Sequence, residues 1–248
     1  MENLKNPTFI FLITVFTCIF AGAFTSANAQ TNEISINLKD FDKLEIGSAF
    51  VIDVSKSSQF SIKAKGNKEN LDEIESYVKN GELQIKYKDN KWKRQKNGTA
   101  YQNFPDGMVY LYITMPELQG VTFSGATKST IEGFSVKGTF NLSLSGASES
   151  KISLKAESID ISLSGASKAR ISGGNAAIMM IDISGASALD TYEYEAKKIN
   201  ISASGASSAK ISVSSYLNAD ANGASSIRYR GNPDVNSDSS GASRISKD

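Results

Sequence analysis

Histidine is absent from the 248-residue sequence, and its one cysteine, Cys18, falls among the first thirty residues. A serine nucleophile therefore has no histidine base to activate it. Past Cys18 neither a disulfide framework nor a Cys/His zinc site can staple the chain. Charge of one sign is missing too: without Glu2 and Lys5 the chain holds 26 basic and 25 acidic residues, a balance that argues against bulk nucleic-acid binding. Tryptophan occurs once, at Trp92. Stability has to come from packing and backbone pairing.

One long apolar run is present, from Phe9 to Phe24. Lys5 precedes it and Ala27-Asn28-Ala29 closes it with the small-x-small pattern of signal peptidase. Residues 1–29 read as a secretory leader, and the run is short for a membrane span. Cys18 sits within apolar neighbours rather than in a lipobox. The remaining 219 residues, 30–248, suffice for one sizeable core and contain no further spanning stretch.

The chain repeats one short phrase, Ser-Gly-Ala-Ser or a close variant, seven times. The central glycines are Gly125, Gly146, Gly165, Gly185, Gly205, Gly223 and Gly241, separated by 21, 19, 20, 20, 18 and 18 residues. Such a period marks a solenoid, each repeat being one coil stacked on the last. Two, four and six residues before the glycine the chain is mostly apolar, as in Leu163, Ile161 and Ile159, with Ser162 and Asp160 between. That alternation is a strand with one buried face. A second alternation, Ala169, Arg170, Ile171, follows the glycine.

The phrase is thus the corner that every coil must turn while its neighbours sit about 4.8 Å above and below. Glycine takes the unusual dihedrals, alanine is expected in a tight interior, and Ser145, Ser164, Ser184 and Ser204 are expected to stack as a hydroxyl column. A ladder is expected five residues before the glycine, at Asn141, Asp160, Asn200, Asn218 and Asn236, with Met180 the exception. The architecture is all-β: a right-handed parallel β-helix of about 18–21 residues per coil.

Residues 30–123 lack the phrase and read as irregular N-terminal coils and a cap, with residues 124–248 as the repeat coils of the same domain. "FDKLEIGSAFVIDVSKSSQFSIKAKG" alternates through Leu44, Ile46, Phe50, Ile52 and Val54, with Gly47-Ser48-Ala49 as an early corner. "NKENLDEIESYVKNG" predicts a helix with Leu71, Ile74 and Val78 on one face and Gly81 as its stop. "GELQIKY" and "MVYLYITMP" read as strands, and the Ser/Asp-rich end after Pro233 as the opposite cap.

Several blocks in order, "FDKLEIGSAFVIDV", "YVKNGELQIKY", "MPELQGVTFSGAT", "IDISLSGAS" and "KINISASGAS", resemble the bacterial auto-transporter adhesin family of head GIN domains, common in Bacteroidetes envelope proteins. Lys198 to Asn200 approximates the Gly-Ile-Asn of that name. The resemblance spans nearly the whole chain after the leader. It implies a right-handed single-stranded β-helix distantly similar to pectin-lyase-type solenoids, an adhesive role, and no catalytic residues to carry over.

Three groups of residues could carry chemistry. Stacking places Asp220 and Asp238, three residues before their glycines, within about 5–6 Å, a distance that suits paired carboxylates or calcium. Yet polar outward positions include aspartates for solubility alone, and the calcium-roll repeat is missing. The stretch Tyr87 to Phe104 gathers Lys88, Lys91, Lys93, Arg94 and Lys96 around Trp92, with Tyr101 beyond. An aromatic there can stack on a sugar while the cations meet its anionic groups, the alternative being a solvated hairpin tip. A basic ladder follows five residues after the glycines, Lys151, Arg170, Lys210 and Arg228, broken by Asp190. It suits an anionic polymer, or is simply a solubilising face.

The reading that follows is an exported, non-enzymatic β-helix of a Gram-negative envelope, in the periplasm or on the outer surface. It needs no cofactor and no metal. It acts in adhesion or carbohydrate binding through Trp92, Lys91, Lys93, Arg94, Lys96 and Tyr101, with glycans or surface proteins as partners and no nucleic acid. The alternatives are a structural or assembly component of the envelope that binds protein partners and, third, a polysaccharide-active enzyme.

Overall fold

The computed structural model describes residues 32–88, 93–94, 100–101 and 107–248. They build a β-solenoid of about six turns. Each coil presents a leading wall before its corner and a trailing wall after it, and the longest strands, such as Lys128–Leu144 and Ala188–Ala203, bend through a third, return wall. Coil-to-coil pairing is parallel along the repeats, with Asn141 opposite Asp160 on the leading walls and Lys151 opposite Arg170 on the trailing ones.

The corner glycines form one column, with φ between 71° and 85°. The alanine after each donates its N–H to the carbonyl of the preceding corner: Ala166 to Gly146 at 2.7 Å and Ala186 to Gly165 at 2.7 Å. A Cβ on Gly165 would lie 2.5 Å from the Gly146 oxygen, so the hydrogen-bond ladder itself excludes a side chain. Ser48 heads the column with φ 79° in a non-glycine residue. On its outer side Ser48 Oγ accepts from the Tyr87 N–H at 3.5 Å.

The corner phrase is buried differently from the expectation. The alanines are exposed, and Ser145, Ser164, Ser184 and Ser204 are only half-buried. The interior residue is the second serine: Ser148, Ser167, Ser187, Ser207 and Ser225 are 1–2% exposed. The corner preserves the strand's parity, so positions two before and two after the glycine both face inward, as with Leu163 and Ser167. Ser148 Oγ donates to the Ser145 carbonyl at 2.8 Å and Ser167 Oγ to that of Ser164 at 2.7 Å. The serine before the glycine supplies a backbone acceptor rather than a hydroxyl column.

Along the axis the core tapers. The inward residue two before the corner runs Phe123, Leu144, Leu163, Ile183, Ala203, Ala221. One coil further it is Ser239, which is exposed. The end after Pro233 is therefore one more coil and not a cap: Asp234–Ser239 and Arg244–Lys247 pair in parallel with the coil before. Its inward positions become polar because no described residue covers them. On the return wall Tyr194 fills the core, its hydroxyl accepting from Ala156 N–H at 3.1 Å and donating to the Asn175 carbonyl at 3.2 Å.

The N-terminal end does not stack in chain order. Lys43–Ile46 lies between Glu82–Tyr87 and Gly120–Phe123, parallel to both. Phe50–Lys56 likewise lies between Val109–Met115 and the trailing part of Lys128–Leu144. Antiparallel strands close this end: Ser61–Gly66 on Val109–Met115, then Asn32–Ile36, with Ile74–Lys79 on the leading side. The expected helix is shorter than its sequence signal. It spans Lys68–Asp72, capped by Asn67 Oδ1, which accepts from Asn70 N–H at 2.8 Å. Ile74–Lys79 is a strand because Asn80 and Gly81, with φ 53° and 75°, make the two-residue hairpin turn that Asn-Gly favours.

Candidate binding walls

The pairing registers carry the outward residues of each wall into columns at about 4.8 Å spacing. On the leading wall, Asn141, Asp160, Met180, Asn200, Asn218 and Asn236 stand in successive register. Asn236 Nδ2 donates to Asn218 Oδ1 at 2.7 Å, while Met180 receives Asn200 Nδ2 on its sulfur at 3.3 Å. The neighbouring column includes Ser162, Asp182, Ser202, Asp220 and Asp238. Together they line an open groove of about 620 Å³, in which Lys43 is the one cation against Glu82, Asp160, Asp182 and Asp220. Asp220 and Asp238 are register partners, but among the described residues no three potential metal ligands cluster.

The trailing wall is its electrostatic opposite. Its parallel columns begin with Tyr110 and Tyr112, 42% and 40% exposed, opposite Lys65 and Lys63 of the antiparallel closing strand. Registers lead from Tyr110 through Val51 to Lys128, and from Tyr112 through Asp53 to Thr130. From Lys128 onward these two columns hold seven cations, Lys128, Lys151, Lys168, Arg170, Lys210, Arg228 and Arg244, against Glu149 and Asp190. The central part is a groove of about 610 Å³.

Asp190 breaks the basic ladder less than its sign suggests. Its carboxylate is held by Arg170 at 3.0 Å and accepts the Tyr192 N–H at 3.2 Å. Lys151, Lys168, Lys210 and Arg228 have no ion-pair partner among the described residues. Beside them Tyr192 lies under the Arg230 guanidinium, 3.9 Å from its ring centroid, with Lys210 at 5.7 Å. Burial first, and then the Asp248 carboxylate, raise the Tyr192 phenol. At the far end, hydrogen bonding by Lys65 and then Lys63 holds the Glu33 carboxyl below its usual range. Lys65 also leans over the Tyr112 ring at 5.4 Å.

Of the residues singled out around Trp92, Lys93–Arg94 pairs antiparallel with Ala100–Tyr101, Lys93 opposite Tyr101. Lys91, Trp92 and Lys96 lie outside the described residues, as does the leader. The tyrosine pair escaped the sequence reading because nothing local marks it. Tyr110 and Tyr112 alternate like any half-buried strand, and only the register with Val51 and Asp53 sets them at the head of the basic columns.

A stacked β-solenoid with these blocks matches one family. Residues 40–233 match the family described as "Putative auto-transporter adhesin, head GIN domain". The chain belongs to this adhesin family. Solved structures agree in fold. A "putative adhesin" from Bacteroides fragilis superposes with a TM-score of 0.77 at 20% identity, over 88% of this chain and 97% of that one. A "putative lipid binding protein" from Parabacteroides distasonis gives 0.67 at 15% identity, over 89% and 97%. A "putative adhesin" from Parabacteroides merdae gives 0.62 at 17% identity, over 89% and 97%. No curated protein matches the chain. Among the described residues no helix is long and apolar enough to cross a membrane.

Proposed function

We propose that this head GIN domain protein is an exported, non-enzymatic adhesin of a Gram-negative envelope that binds extended glycans along its side walls. Residues 1–29 direct export, and the solenoid acts as a rigid ruler carrying the same kind of contact at every coil. The observation that carries this reading is the pair of outward residue columns, held in register over many coils, each lining an open groove. Such a surface gains affinity by repetition, since each further unit of a bound polymer engages as an intramolecular event. The stretch around Trp92 is a second proposed contact by its composition.

The test is binding of the chain from residue 30 to a broad glycan and matrix-protein array at physiological salt. Reproducible glycan hits with higher affinity for longer oligomers are expected. A blank glycan panel with specific protein hits instead favours the structural or assembly role. A vesicle arm addresses the lipid-binding label borne by one structural relative. Trp92→Ala with Lys93 and Arg94 neutralised should weaken binding if that stretch takes part.

A further inference from the structure

We infer that the trailing wall is a binding track for a linear polyanionic polysaccharide laid along the solenoid axis, with Tyr110 and Tyr112 as its sugar-stacking end. The inference rests on the side-wall reading above and narrows it to one wall and one ligand class.

Charge selects the wall. Both walls are long and open, but the trailing one carries seven cations against three carboxylates, Asp53, Glu149 and Asp190, whereas the groove of the leading one has one cation against four carboxylates. A polyanion is attracted to the first and repelled by the second. The cations are also available. Lys151, Lys168, Lys210 and Arg228 form no ion pair among the described residues, and Asp190 is already engaged by Arg170 and a backbone N–H.

Spacing selects a polymer over a small anion. Between Tyr112 and Arg228 the column crosses six strands, at Asp53, Thr130, Lys151, Arg170, Asp190 and Lys210 in turn. With Arg228 included that is about 34 Å at 4.8 Å per strand. Successive units of an extended glycan advance by about one coil height, so each meets a fresh set of side chains.

Chemistry selects a sugar over a nucleic acid. Hydroxyls of Thr130, Ser208 and Ser226 share strands with Lys128, Lys210 and Arg228 in the neighbouring column, setting hydroxyls beside cations for a ligand with both hydroxyl and acid groups. Tyr110 and Tyr112, two residues apart on one face, offer exposed ring surface to pyranose rings, with Lys65 over one face of Tyr112. A chain of nearly zero net charge with one acidic wall does not concentrate a bulky, densely charged duplex.

The experiment uses the chain from residue 30, followed by calorimetry at two salt concentrations. Probes are polygalacturonate oligomers of increasing length, sulfated heparin-type oligomers, neutral dextran and duplex DNA. The uronate and sulfate arms distinguish the two sources of anionic charge. Expected are affinity rising with oligomer length, weakening in salt, and little or no binding of dextran or DNA. Lys151→Gln with Lys210→Gln and Arg228→Gln should cost about tenfold or more and flatten the salt dependence. Tyr110→Ala with Tyr112→Ala should weaken binding with the salt dependence unchanged, and Asp182→Asn with Asp220→Asn should not weaken it. Circular dichroism confirms that each variant is folded.

Dextran binding without polyanion binding, or full affinity in the triple variant, overturns the track while leaving the side-wall reading intact. Equal affinity for duplex DNA overturns the polysaccharide assignment. An unchanged tyrosine variant removes the stacking end. Failure of every glycan, here and on the array, overturns both the track and the reading beneath it.

Discussion

Replacing Gly165 by alanine tests the corner mechanism most directly, because two separate costs are visible at that residue. The first is conformational: φ is +73°, and an L side chain in the left-handed region costs about 1–2 kcal/mol. The second is steric, since the new Cβ would stand 2.5 Å from the Gly146 oxygen and 3.0 Å from its nitrogen. That oxygen already accepts the Ala166 N–H at 2.7 Å, so it cannot withdraw without breaking the corner ladder. Coils pack on both sides, and overpacking of this kind costs roughly 1–3 kcal/mol. Alanine restrains the unfolded chain and returns about 0.4–1 kcal/mol. The expected net loss is about 2–4 kcal/mol, or about 5–15 °C in Tm for a domain of this size.

Two companion variants separate the costs. Gly241→Ala has the same dihedral and a contact of 2.8 Å to the Gly223 oxygen, but no described coil lies beyond it, so the last coil can yield. Its cost should fall to about 1–2 kcal/mol. Ser48→Gly removes the dihedral strain at φ 79° but also the long Ser48 Oγ bond from the Tyr87 N–H, and should lie within about 1 kcal/mol of neutral. Urea unfolding followed by circular dichroism gives all three, with the m-value checking that the coils still unfold together. If Gly165→Ala lies within about 0.5 kcal/mol of the parent, or costs no more than Gly241→Ala, the account of the repeated phrase is wrong.

Tyr194→Phe should cost about 1–3 kcal/mol, because it leaves the buried Ala156 N–H and Asn175 carbonyl without their partner; thermal melts at neutral pH measure it. Burial raises the Tyr194 phenol above its ordinary value near 10, the Ala156 N–H opposing. Its contribution is therefore intact below pH about 10 and declines above it, as the unfolded chain ionises while the folded phenol keeps its proton. Stability against pH should fall less steeply in the phenylalanine variant between pH 9 and 11, and an unchanged slope would contradict the assignment. Ser167→Ala should cost about 1 kcal/mol through its bond to the Ser164 carbonyl, whereas Ser187→Ala, removing a buried hydroxyl without a partner, should be neutral or slightly stabilising by the same urea assay.

How much of this was legible follows from where the information resides. A period near twenty residues, an alternation on each side of it and a glycine at its centre are properties of the chain itself. In a stacked coil, residues one period apart must become neighbours about 4.8 Å away. Thus the class of fold, the corner column and the ladder from Asn141 to Asn236 could be read before any coordinate. The serine facing inward was within reach, since Leu163, Ser167 and Ala169 share one parity, but only if the corner keeps that parity. The helix expected over residues 67–81 is confined to Lys68–Asp72 because Ile74 and Val78 fit periods of both 3.6 and 2, and the Asn80-Gly81 turn decided between them.

Tertiary structure alone decided what breaks the period. Glu82–Tyr87 lies outside Lys43–Ile46 although it follows it by some forty residues in the chain, and no local signal states that order. Pairing across such distances depends on which edges remain open once the other strands are placed. The same pairing brings Tyr110 and Tyr112 to the head of the basic columns and separates an acidic wall from a basic one in a chain of nearly zero net charge. Sequence by itself determined the repeating coil, because that pattern is local and periodic; tertiary pairing determined the walls, because a surface is assembled from residues that share only their position along the axis.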